Sequence, residues 1–124
     1  MTRVQVELRD GRLAYHPGDD IEGTARWQLD RPPKSAELRL FWFTEGRGDR
    51  DLEVIETLRF DAPAADDHRD FQLHLPAGPY SFAGKLIRLR WAIEVEVEPG
   101  SRVARTDLTV APAGEAIRLA SVGG

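Results

Sequence analysis

A chain of 124 residues, 31% charged and 41% hydrophobic, suits one folded domain over 1–124 that buries about two thirds of its unfolded surface. The lack of cysteine and the formal charge of -4 exclude a disulfide framework and a thiolate metal site, and argue against sequence-independent nucleic-acid binding, which needs basic surface to displace counterions. No run approaches the roughly 20 apolar residues of a membrane span, and the charged start MTRVQVELRD offers no apolar stretch for a signal peptide, so a cytoplasmic protein is expected.

In chain order, Val4, Val6 and Leu8 alternate with Arg3, Gln5, Glu7 and Arg9, which predicts a strand ending at the Asp10-Gly11 turn. A second short piece falls at Arg12 to Tyr15. In the following His16-Pro17-Gly18-Asp19, proline then glycine fits the centre of a type II turn. Ile21, Gly23, Ala25, Trp27 and Leu29 then share one strand face, with Glu22, Thr24, Arg26 and Gln28 on the other. The small Gly23 and Ala25 leave room for a bulky neighbour. Pro32-Pro33 stops this strand, because neither residue donates to a ladder. Ala36 to Thr44 puts Leu38, Leu40 and Trp42 on one side and Glu37, Arg39, Phe41 and Phe43 on the other, so the second side is half apolar.

Gly46 to Asp51 reads as a polar hairpin loop before Val54, Leu58 and Phe60, which alternate imperfectly. Ala62 to Arg69 reads as a solvated loop, and Phe71, Leu73 and Leu75 as a short strand. The clearest signal lies beyond. Ile87, Leu89, Trp91, Ile93, Val95 and Val97 fall on one side of a long strand, opposite Arg88, Arg90, Glu94, Glu96 and Glu98. Pro76, Gly78, Pro79 and Gly84 make an irregular corner before it. Pro99-Gly100 turns the chain into Ala104, Thr106, Leu108 and Val110, and Ile117 and Leu119 are the last apolar residues. Turn signals every ten to fifteen residues, with no helical period, predict an antiparallel β-sandwich of immunoglobulin-like type with seven or eight strands.

Two blocks carry a family likeness. Tyr15-His16-Pro17-Gly18-Asp19-Asp20-Ile21-Glu22-Gly23 resembles the entry to a strand in the N-terminal domain of arrestins and their relatives. Leu75-Pro76, Pro79-Tyr80-Ser81-Phe82-Ala83-Gly84 and the strand through Trp91-Ala92-Ile93-Glu94-Val95 resemble a later block of the same domain, in the same order and separation. The resemblance implies a single arrestin-like sandwich and a non-catalytic adaptor that holds proteins by sheet faces, edges and loops. Phosphate sensing and receptor binding are not carried over, since neither the family's buried polar network nor a PPxY motif is identifiable. The block residues also have structural work of their own. Pro17-Gly18 sets a turn, Gly23 permits close packing, and Ser81 with Tyr80 is expected to bond backbone groups freed by Pro76 and Pro79.

No catalytic, metal or cofactor residue is assigned. Ser35, Ser81, Ser101 and Ser121 lie in no GxSxG elbow, and no GxGxxG or phosphate-cradling motif occurs. Asp66-Asp67-His68 with Asp70 reads as solvated loop and not as a metal site. Arg47-Gly48-Asp49 matches an adhesion tripeptide, but three residues recur by chance. Surface chemistry is the better signal. Phe41 and Phe43 lie opposite the core series, as an aromatic patch for a partner or as rings covered by a neighbouring segment. Arg88 and Arg90 followed by Glu94 and Glu96 place opposite charges at two ends of one strand, to pair with neighbouring strands or with an antiparallel copy of the chain. These six residues are the expected partner-binding set, for a protein partner or a homodimer. A small-molecule or carbohydrate-binding sandwich is the alternative, and would need an open pocket lined by Trp27, Trp42 or Trp91.

Overall fold

In the computed structural model, which describes residues 2–46, 50–84, 87–112 and the backbone of 117–118, the alternating pattern has become strands, with no α-helix among the described residues. The elements are β1 (Arg3–Leu8), a 3-10 turn (Arg9–Gly11), β2 (Ala14–Tyr15), β3 (Asp20–Gln28), β4 (Ser35–Gly46) and β5 (Leu52–Arg59). There follow β6 (Asp66–His74), β7 (Phe82–Ala83), β8 (Ile87–Glu98), β9 (Arg102–Val110) and β10 (Ile117–Arg118). Seven of the strands are long, and β2, β7 and β10 have two residues each. The tripeptide Arg47-Gly48-Asp49 and the tail residue Leu119 lie outside the described residues.

Two sheets face one another. The smaller has the antiparallel order β1-β3-β6. The larger runs β5-β4-β8-β9-β2, with β7 joining the start of β8 beside β9, and β10 pairing β7. Ladder register decides which side chains share a face. In the smaller sheet Val4 stands beside Trp27, Val6 beside Ala25, and Gly23 between Leu8 and Phe71, in rows turned inward. From the larger sheet, Leu38, Leu40, Trp91, Ile93, Val95 and Val97 meet them, none more than 1% exposed. The expected spine of β8 is therefore buried from Leu89 onward, whereas Ile87 is exposed. Fully burying one such aliphatic chain contributes about 1.5 to 3 kcal/mol.

The two blocks that resembled arrestins meet in space. Gly18 has φ of +82° and Asp19 N–H donates to His16 C=O at 3.1 Å, the type II turn that Pro17-Gly18 predicted. Gly18 N–H also donates to Pro76 C=O, and Leu75 N–H to Asp19 C=O, which ties the turn to the corner before β7. Ser81 departs from expectation. It is buried, its hydroxyl accepts from Val110 N–H at 2.9 Å, and its own N–H donates to Val110 C=O. Ser81 thus ties the corner to β9, while the Pro79 carbonyl takes the Trp91 indole N–H at 2.9 Å and Tyr80 stands exposed.

The crossover from β5 to β6 corrects a second expectation. The chain is already a strand at Asp66, so only 60–65 form the connection. Asp67 lies beside Trp27 and Arg69 beside Ala25, which turns both charged side chains toward the sandwich interior at the rim of β6. There they clamp the crossover. Arg69 bonds Asp67 at 3.0 Å and the carbonyls of Asp61 and Ala62, Asp67 accepts from Ala64 N–H, and the Trp27 indole donates to Ala64 C=O at 2.7 Å. Polar composition suggested water, but these charges are satisfied by the loop they hold.

Two outcomes follow for stability. A methyl group on Gly23 would sit 2.4 Å from the Glu7 carbonyl oxygen and 2.7 Å from the Phe71 ring. Gly23→Ala should therefore cost about 1 to 3 kcal/mol in urea unfolding, and an unchanged midpoint would mean that the strands are not in this close contact. The bond from Arg69, helped by the N–H groups of Ala64 and His68, lowers the Asp67 pKa to about 2. A depressed carboxylate stabilises the fold above its unfolded value, near 4, and that share is lost as pH falls toward 2; it is at most about 2 kcal/mol. Unfolding free energy measured from pH 5 downward should fall more steeply for the wild type than for Asp67→Asn.

Candidate protein-interaction face

β4 and β8 run antiparallel through the centre of the larger sheet, pairing Glu37 with Glu96, Arg39 with Glu94, Phe41 with Ala92, Phe43 with Arg90 and Glu45 with Arg88. Each is the outward member of its alternation. The six residues expected to bind a partner, Phe41, Phe43, Arg88, Arg90, Glu94 and Glu96, thus share one face on two adjacent strands. β9 adds Val103, Arg105 and Asp107 to it, and β5 adds Leu52 and Val54.

The charges of β8 are taken up largely by neighbouring strands. Arg39 donates to Glu37 at 2.8 Å, Glu94 at 3.0 Å and Glu96 at 2.9 Å. Partial burial opposes its charge, but the Glu96 carboxylate, with those of Glu37 and Glu94, outweighs burial and raises its pKa. Arg59 approaches Glu37 only to 3.8 Å. At the other end Arg90 bonds Glu45 at 3.0 Å, which chiefly raises its pKa, and lies 3.6 Å from Asp107. Among the described residues Arg88 makes no ion pair. Three carboxylates around Arg39 leave one half of the face acidic, and Arg88, Arg90 and Arg105 make the other half basic.

Arg105 alters the aromatic patch. Its guanidinium carbon lies 4.3 Å from the Phe43 ring centre and 5.6 Å from that of Phe41, and its Nε donates to Asp107. To reach β4 from β9 the side chain must cross β8, and the register places the short Ala92 on its path. Phe41 is consequently only 6% exposed, the covered one of the two alternatives, while Phe43 is half-buried. Leu52 and Val54, at 63% and 44% exposure, are the open apolar side chains of this end. Phe41, Phe43, Leu52, Arg90 and Arg105 line an open cleft of about 530 Å³.

Sequence reasoning missed Leu52, Val54 and Arg105. Strict alternation would put Val54 on one side with Leu58. The register shifts between Leu40 and Phe41, however, so that Ile55 is an extra residue and Val54 turns outward. The outer face of the smaller sheet differs in kind, with Glu7, Glu22, Thr24, Asp70 and Gln72 around a polar hollow. Among the described residues no group of three or more histidine or acidic side chains is placed to hold a metal ion. His74 bonds Asp20 at 2.9 Å on that outer face and is exposed.

The two facing sheets define the class as an all-β sandwich, and a solved structure supports an arrestin-like fold for it. Among solved structures the chain is similar to Spo0M, a sporulation control protein from Bacillus subtilis, with a TM-score of 0.65, 18% identity and 89% of this chain covered. The match covers 49% of Spo0M, so the chain spans about half the length of that protein. At that identity the likeness speaks for the fold alone. No family model and no curated protein matches the sequence.

The Arg39 cluster gives a direct test of how this face is held. Arg39→Gln leaves three facing carboxylates without their shared cation, and should cost about 1 to 3 kcal/mol in chemical unfolding. A variant as stable as the wild type would show that the cluster is solvated and contributes nothing.

Proposed function

We propose that the chain is a non-catalytic protein-interaction or scaffold module, working without a cofactor in the cytoplasm, and that the outer face of its larger sheet is the binding surface. The observation that carries this reading is the composition of that face. Half-buried Phe43 and open Leu52 and Val54 adjoin arginines on one side and carboxylates on the other. Aromatic and arginine side chains beside apolar area are what interface centres enrich. The likeness to a sporulation control protein is in keeping with a regulatory role.

The alternative, a ligand-binding sandwich, has less support. Trp27 and Trp91 are 1% and 0% exposed, and their indole N–H groups are already donated to Ala64 and Pro79. Only Trp42 is half-buried, with a ring N–H that has no partner among the described residues.

Affinity capture from the native cell with the wild type and with Phe43→Ser/Leu52→Ser tests the proposal. Both side chains stand on the sheet surface, so near-UV circular dichroism should be kept while captured proteins fall by about tenfold or more. A folded double variant that retains every association would remove this face as the binding surface.

A further inference from the structure

We infer that a second copy of the chain occupies this face, laid against it with its strands reversed. The inference rests on the interaction role proposed above and deepens it by naming the partner. It comes from the order of outward side chains on β8, which reads Arg88, Arg90, Ala92, Glu94, Glu96. A two-fold axis lying between two such sheets, across the strands at Ala92, sets β8 over β8 in opposite directions. Arg90 then faces the partner's Glu94, Arg88 faces the partner's Glu96, and symmetry makes each contact twice. Ala92, the shortest of the five, lies on the axis.

The rest of the face fits this placement. Sheets that pack face to face stand about 10 Å apart with strand directions nearly aligned, a gap that arginine and glutamate side chains span from opposite sides. Charge is left over for the contact. Glu37, Glu94 and Glu96 share Arg39 with only a distant Arg59, and Arg88 has no ion pair among the described residues. On β5, Val54 shares the register row of Phe41 and Ala92, so it meets the partner's Val54 and removes apolar surface from water. Three like-charge facings oppose the contact, Asp107 with the partner's Asp107, Glu45 with the partner's Glu37, and Arg105, where it lies over Phe43, with the partner's Arg39. Each of these acids already has an arginine of its own, Arg105, Arg90 or Arg39.

Sedimentation equilibrium across the micromolar range tests the arrangement. The wild type should show a monomer–dimer equilibrium that weakens with added salt, and R90E or E94R alone should raise the dimer Kd about tenfold. The double reversal R90E/E94R should bring the Kd back toward the wild-type value. That recovery cannot arise within one subunit, because the reversed position 90 still faces Glu45 and Asp107 and the reversed position 94 still faces Arg39. If circular dichroism shows R90E to be unfolded, R88E, E96R and their double reversal make the same test at the outer contact. A monomer at every concentration overturns the inference, as does a dimer indifferent to the single reversals, or a double reversal no tighter than the singles. A monomeric wild type whose captured proteins still depend on Phe43 and Leu52 would remove the dimer and leave the interaction role standing. Loss of both would remove the role as well.

Discussion

The twelve-pair ladder between β4 and β8, from Ser35 with Glu98 to Gly46 with Ile87, is the constraint on which both halves of this molecule depend. Because side chains alternate along a strand, one register fixes two surfaces at once. Leu38, Leu40, Trp91, Ile93, Val95 and Val97 are sent into the core, and Arg39, Phe41, Phe43, Arg90, Glu94 and Glu96 are sent outward. A slip by one residue would exchange them and place charged groups where the smaller sheet packs. Core packing therefore holds the outer face in place, although no outer residue contributes much to it. The ion pairs around Arg39 sit on a strand pair already committed by burial.

Much of this was legible in the chain. β8 could be read because its alternation is unbroken, and the turn at Pro17-Gly18 because only a narrow set of residues suits a type II geometry. Gly23 reads as a close approach from its place in the strand alone, and its neighbours are the Glu7 carbonyl and the Phe71 ring. The parts that escaped share a cause. Val54 and Leu52 sit beyond a bulge, where period-two reasoning changes sign within one strand. Arg105 covers Phe41 from two strands away, a contact that no local pattern encodes. Asp67 and Arg69 looked like solvent-facing charges because their partners are mainly backbone groups of a loop, which composition does not reveal.

The likeness to arrestin N-domains belongs to the same category as the turn at Gly18. Its two blocks are joined by backbone bonds from Gly18 to Pro76 and from Leu75 to Asp19, and Ser81 fastens the second of them to Val110. These are the joints of a sandwich, and the fold they hold is similar to that of Spo0M at 18% identity. One fold hosts many functions, and the outer face proposed as the binding surface lies apart from these joints.

The inward-turned charges at the rim of β6 have one more consequence. A strand arriving there to lengthen the smaller sheet would find Asp67 and Arg69 in the row where an apolar neighbour is needed, and both are engaged with the 60–65 crossover. Edges so furnished deter stray pairing and the filaments that grow from it. The molecule is thereby protected against uncontrolled stacking at that border.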